Sequence, residues 1–85
     1  MRVGVQFTGT VPGGATRRWF THSWPQAWHV VWYVVSTSPI VTGGPQIEWS
    51  VAVERASSTH ITYWITIKNL TPNPVNIEAR YAVLN

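Results

Sequence analysis

Between Gln46 and Ile67 the chain keeps a nearly unbroken period of two. Ile47, Trp49, Val51 and Val53 fall on one side; Glu48, Ser50, Ala52 and Glu54 fall on the other. After the short link Ser57-Ser58-Thr59, Ile61, Tyr63, Ile65 and Ile67 alternate with Thr62, Trp64, Thr66 and Lys68. Successive side chains of a β-strand point to opposite faces, so this pattern specifies antiparallel strands with one packed and one wetter face. No 3.6-residue amphipathic pattern survives over two turns anywhere in the chain, which excludes a helical fold.

Six strands are expected, about Arg2–Phe7, Ala15–His22, Trp28–Thr37, Gln46–Ala56, His60–Asn69 and Pro74–Leu84, all rich in Val, Ile, Thr, Trp and Tyr. In the first, Val3, Val5 and Phe7 share a face, and the turn Gly9–Gly14 follows. Ser23-Trp24-Pro25-Gln26 breaks the run before the third, and Ser38–Pro45 is the longest loop. In the sixth, Val75, Ile77, Ala79, Tyr81 and Val83 point inward while Asn76, Glu78 and Arg80 point outward. The links at 57–59 and 70–73 suit hairpins, so the last three strands are expected to form a meander. Six short strands cannot close a large barrel. The expected fold class is therefore all-β, a small antiparallel β-sandwich of about six strands, as one domain over residues 1–85.

The third strand is apolar on both sides: Trp28, Val30, Trp32 and Val34 on one, Val31, Tyr33 and Val35 on the other. Only one face of a sandwich strand meets the core. The other lies either under a loop or against another subunit, and the subunit is the expectation, since an exposed apolar patch is a liability. Size points the same way, because a domain of 85 residues buries only about 60–65% of its unfolded surface. The chain has no cysteine, so no disulfide can staple it, and homo-oligomerisation is the expected remedy. Trp28, Trp32 and Tyr33 are the interface candidates.

The net charge of +3 reflects three Glu and no Asp against six Lys and Arg. Only Arg17 and Arg18 are adjacent, whereas a nucleic-acid binder clusters its bases on one face, so an oligonucleotide-binding domain ranks third. No stretch approaches the roughly 20 apolar residues of a membrane helix, and membrane insertion is not expected. Met1–Gln6 lacks the apolar core of a signal peptide, which leaves a cytoplasmic location, a removed leader or another export route open.

Catalysis has little to draw on. Glu48 and Glu54 share a face, but six strand residues separate them by about 20 Å, too far for paired-carboxylate chemistry. Glu78 is read as an ordinary solvent-facing residue with an Arg partner. His22, His29 and His60 lack zinc-site spacing, and no nucleophile elbow is present. The chain is expected not to be an enzyme, to need no cofactor and to hold no metal. Asn69-Leu70-Thr71 matches a glycosylation acceptor, but Pro72 follows and the segment reads as a turn.

Six tryptophans remain to be placed. Trp49 sits in an apolar row and is expected in the core. Trp64 lies on a polar face between Thr62 and Thr66. Trp24 sits in the break, and Trp19 stands beside Arg17, Arg18, Thr21 and His22. A flat aromatic face next to hydrogen-bonding side chains suits a sugar ring, and the same pairing stacks nucleobases. Trp, Tyr and Arg are also enriched at protein interfaces. The candidate ligand-binding residues are Arg18, Trp19, His22, Trp24 and Trp64, with Arg80 as a polar partner.

The layout has a family likeness. Trp19-Phe20-Thr21-His22-Ser23-Trp24-Pro25 leads into a strand ending Ser36-Thr37-Ser38-Pro39. Then come Gln46 to Glu54, Ile61 to Ile67, and Ala79-Arg80-Tyr81-Ala82-Val83-Leu84. From roughly Arg17 to Leu84, in strand order and rhythm, this resembles the six-stranded H-type (discoidin-II-like) lectin domain. The resemblance implies a small antiparallel sandwich that binds N-acetylgalactosamine-type sugars and assembles as trimers or multiples of trimers. An acidic ligand contact near that family's first loops has no match in a chain without Asp, so no sugar contact is carried across. The expected function is a carbohydrate-binding, lectin-like module acting multivalently as a homo-oligomer, with a glycan ligand. The alternative is a structural or assembly domain, such as a phage tail-fibre tip, whose tryptophans join subunits. In that case Trp19→Ala or Trp24→Ala would break the oligomer.

Overall fold

The computed structural model covers residues 1–85 and contains strands and no helix. In chain order the strands are β1 (Arg2–Val11), β2 (Thr16–Phe20), β3 (Trp24–Pro25), β4 (Val30–Ser38), β5 (Ile47–Arg55), β6 (His60–Asn69) and β7 (Val75–Val83). They make two antiparallel sheets. The three-stranded sheet has the order β1-β7-β4. In the four-stranded sheet β6 is central, with β5 along one edge and β2 followed by β3 along the other. The sheets face each other as a sandwich. Val11, Trp32, Val34, Val75, Ile77 and Ala79 of the first meet Tyr63, Ile65 and Ile67 of the second. The molecule is elongated, 42 × 23 × 17 Å.

The alternation read from the sequence is what builds this core. Inward residues of β6 and β7 are buried in regular steps of two, as a pleated strand between two neighbours requires. Four expectations need correction. The first concerns the segment after β2, where seven strands replace the expected six. Pairing with β6 does not end at Phe20. The Thr21 amide donates to the Tyr63 carbonyl (3.0 Å), and Thr21 Oγ1 accepts from the Tyr63 amide (3.1 Å). A side-chain oxygen thus replaces the backbone carbonyl that a continuing strand would offer. The chain turns at Ser23, whose φ of 29° lies in the left-handed region. It then pairs again through Trp24 and Pro25, so the expected break is the short strand β3.

Secondly, the last three strands are not a meander. β5 and β6 form the expected hairpin, closed by bonds from the Ala56 and Ser57 amides to the His60 carbonyl (3.0 and 3.2 Å). β7 instead crosses to the other sheet, between β1 and β4. The link that carries it is organised by Asn69, which is fully buried. Its Nδ2 donates to the carbonyls of Val11 (3.0 Å) and Asn73 (2.7 Å). Its Oδ1 accepts from the amide and hydroxyl of Thr71, each at 2.8 Å. Pro72 and Pro74 have no N–H to give to a hairpin ladder. The acceptor-like motif at Asn69 is thus a turn, with both ends of its amide spent inside the fold.

A third correction concerns β1, which runs on to Val11 through the expected turn at Gly9 and carries a β-bulge between Val5 and Phe7. One extra residue reverses the facing of everything before it. Val3 and Val5 therefore point to solvent, while Phe7 points inward and stacks on Trp19 (centroids 4.9 Å apart). The real turn is Pro12–Ala15, with Gly14 at φ 70°. Gly13 is held close to Pro72, where an added Cβ would run into the carbonyl oxygen. That approach brings the turn after β1 onto the link between β6 and β7.

Finally, Trp49 is not a core residue. It lies on the inward side of β5, opposite Ile67, yet 36% of it is exposed. β5 is an edge strand; Ile47 and Val51 on the same side pack against the core, whereas Val53 is exposed as Trp49 is.

Candidate functional site

The outer face of the four-stranded sheet gathers residues from three strands. Cross-strand register aligns them in rows: Thr16, Lys68 and Glu48; then Arg18, Thr66 and Ser50; then Phe20, Trp64 and Ala52; then Thr62 and Glu54. The first two rows enclose a shallow open pocket of about 190 Å³, lined by Thr16, Glu48, Trp49, Ser50, Thr66 and Lys68. The next two rows carry an aromatic group.

Trp64 is the centre of that group. On β2 its direct neighbour is Phe20, with centroids 5.1 Å apart. On β5 its direct neighbour is Ala52, and the indole reaches past that small residue to the diagonal position. There its Nε1 donates to Glu54 Oε1 at 2.6 Å. The opposite diagonal is Arg18, whose guanidinium lies 4.5 Å from the indole centroid. A cation over the ring and a carboxylate on its N–H polarise the indole in the same sense and fix its orientation. His22, just past β2, meets Phe20 edge-on at 5.3 Å. Phe20 is 53% exposed, an unusual amount for such a ring. Arg18 is exposed, so the donors of the guanidinium that lies over Trp64 face solvent.

Of the six candidates read from the sequence, Arg18, His22 and Trp64 therefore come together on one face. Trp19 points the other way, into the sandwich, against Phe7 and over Gly9, where an added Cβ would stand 2.9 Å from its Cζ2. Trp24 packs between the sheets among Trp28, Trp32, Tyr63 and Tyr81, with centroids 5.0–6.4 Å away. Arg80 lies on the outer face of the other sheet, paired with Glu78 at 2.9 Å. Among the interface candidates, Trp32 is buried and its Nε1 has no hydrogen-bond partner. Trp28 is half-buried under Arg2, whose guanidinium is 4.2 Å from its ring, and Tyr33 is exposed.

Phe20 and Glu54 belong to the site and are missing from the sequence reading. A signal existed for both: Phe20 shares strand parity with Arg18, and Glu54 shares it with Ala52. Placing them beside Trp64 needs the register of β2 and β5 on β6, which the sequence does not carry. Comparison with known proteins finds no family model, no curated protein and no solved structure that matches the chain. The molecule is an all-β protein of two antiparallel sheets with an exposed aromatic cluster, and its site has to be read from its own chemistry.

Proposed function

We propose that this protein is a carbohydrate-binding, lectin-like module that acts multivalently as a homo-oligomer. The observation that carries the reading is the exposed Phe20 ring beside a Trp64 fixed between Arg18 and Glu54, with a shallow pocket on the adjoining rows of the same face. A sugar ring offers one apolar C–H face and a rim of hydroxyls. Phe20 supplies a flat partner for the first. Arg18 donors, the Glu54 carboxylate and the hydroxyls of Ser50, Thr66 and Thr16 supply partners for the second. The mixture of two cations, Arg18 and Lys68, with two anions, Glu48 and Glu54, favours neutral hydroxylated ligands over polyanions. The likeness to H-type lectins in strand rhythm bears on the fold and the assembly more than on the ligand, and the two-sheet antiparallel architecture agrees with that fold. On this reading the residues act by binding alone, with no chemical step, cofactor or metal.

The test is a glycan array followed by calorimetry on the best ligand. Phe20→Ala is expected to weaken binding about tenfold, the worth of about 1.4 kcal/mol of stacking. Trp64→Ala should weaken it at least as much, since Arg18 and Glu54 lose their common support. Binding should change little with salt. An oligonucleotide ligand would instead lose affinity steeply as salt rises. A wild-type protein that retains no glycan, or a Phe20→Ala variant that binds as tightly as wild type, would overturn the reading.

A further inference from the structure

The two sheets have four open edges, and three of them are blunted. β1 carries its bulge between Val5 and Phe7, and β4 shifts register between Ser36 and Ser38. The edge made by β2 and β3 is interrupted at Ser23 and ends on Pro25, which has no N–H to offer. β5 is different. Its register on β6 runs from Ile47 to Arg55 without a shift, and it contains neither Pro nor Gly. The Ala56 amide and the Gln46 carbonyl both bond to the β6 side. By alternation, the backbone groups of Ile47, Trp49, Val51, Val53 and Arg55 point away from β6, to an open edge. Such a row is a template for another strand. Trp49 and Val53 on that strand are exposed.

We propose that the β5 edges of two copies pair antiparallel about Ala52, and that each copy thereby completes the other's ligand site; the site half of this rests on the carbohydrate reading above. The β5 sequence selects both its own copy and the register. Centred on Val51, the strands would set Glu48 against Glu54 at both ends, a like-charge pair each time. Centred on Ser50, Arg55 would fall opposite Pro45, which has no N–H. Centred on Ala52, Val51 meets the partner's Val53, Trp49 meets the partner's Arg55, and Ser50 meets the partner's Glu54, each twice by symmetry. A cation then falls to an aromatic ring and a carboxylate to a hydroxyl, and only Ala opposes itself.

The same register acts on the site. Ala52 is the cross-strand neighbour of Trp64, so Phe20, Trp64, Ala52 and their symmetry mates form one row. Three strand steps separate the two Trp64 positions, about 14 Å. The floor between them is the two small Ala52 residues, with Ser50 and Glu54 of both copies on the adjoining rows. One chain alone holds half of this trough, ending at an open edge. The pair makes a trough with an indole at each end, longer than a single pyranose ring and suited to a neutral oligosaccharide.

The test combines mass by light scattering with cysteine crosslinking, and near-UV circular dichroism reports the fold. Wild type is expected at twice 9.6 kDa. Val53→Pro, which removes an N–H from the open edge and none from the β6 ladder, should fall to 9.6 kDa. The chain has no cysteine of its own. Ala52→Cys should crosslink to a dimer under mild oxidation, because directly opposed strand residues of this kind stand about 4.5 Å apart. Ser50→Cys, opposite Glu54, should not. These two exposed positions decide the matter if Val53→Pro does not fold. Val53→Pro should also lose at least about tenfold in affinity for a bridging oligosaccharide while binding a monosaccharide as before. A crosslinked Ala52→Cys dimer that retains no glycan would sink the carbohydrate reading and leave the paired edge standing. A wild type that is monomeric at every concentration, a folded Val53→Pro protein of wild-type mass, or Ser50→Cys crosslinking in place of Ala52→Cys would overturn the proposal.

Discussion

Asn69 shows how much one polar residue can organise. It ties the end of β1, the end of β6 and the link to β7 with four hydrogen bonds while fully buried. Asn69→Ala removes all four and leaves their partners facing a cavity. The expected cost is about 3 kcal/mol, a fall in Tm of more than about 10 °C for a domain this small, readable by calorimetry. The sequence marks Asn69 as a turn residue correctly, since Pro72 and Pro74 stand beside it. It does not reveal that the amide turns inward, because the two carbonyls it serves include one 58 positions away. Trp64 was legible for a similar reason: a large ring between two threonines on a polar face needs an explanation. Trp19 and Trp24 were misleading. Their polar neighbours in sequence, Arg18 and His22, point to the other side of the strand or beyond it.

Among the elements, β1 gives the sharpest contrast between pattern and outcome. Strict alternation groups Val3, Val5 and Phe7, and the bulge separates them. Phe7→Ala is therefore expected to cost about 2–3 kcal/mol, because Trp19 loses its stacked partner. Val5→Thr should cost less than about 0.5 kcal/mol within the single chain. Chemical denaturation of the two variants at low protein concentration separates them, and equal losses would contradict the register. β5 and β6 were easier, since both have regular registers with no bulge and their hairpin is local. The meander failed for β7 because pairing between sheets is a matter of long-range packing. A period of two says which side faces the core. It does not say which sheet supplies the neighbours.

In the molecule as a whole, Trp24, Trp32, Tyr63 and Tyr81 pack together between two thin layers, and that burial has a consequence for pH. Tyr63 is buried in the aromatic core, and desolvation raises its phenol pKa above the ordinary 10.0. In the unfolded chain the phenol ionises near 10; in the folded chain it stays protonated to higher pH. The unfolded state therefore binds fewer protons above pH 10, and stability falls as pH rises through that region. Tyr63→Phe should flatten this alkaline decline in a series of thermal melts, and an unchanged slope would show that the phenol is not responsible.

The position of β7 also governs when the molecule can come into being. The three-stranded sheet is built from the first, middle and last strands, and the last is the one between the other two. During synthesis β1 and β4 leave the ribosome with no partner to pair with. The hairpin of β5 and β6 can form early, but the rest waits until Val75–Val83 has emerged. Folding is accordingly a late event dominated by distant pairings, in the slower milliseconds-to-seconds range of small β proteins. Until it happens, Val11, Trp32 and Val34 have no opposite sheet to pack against, which makes the nascent chain the stage most exposed to aggregation.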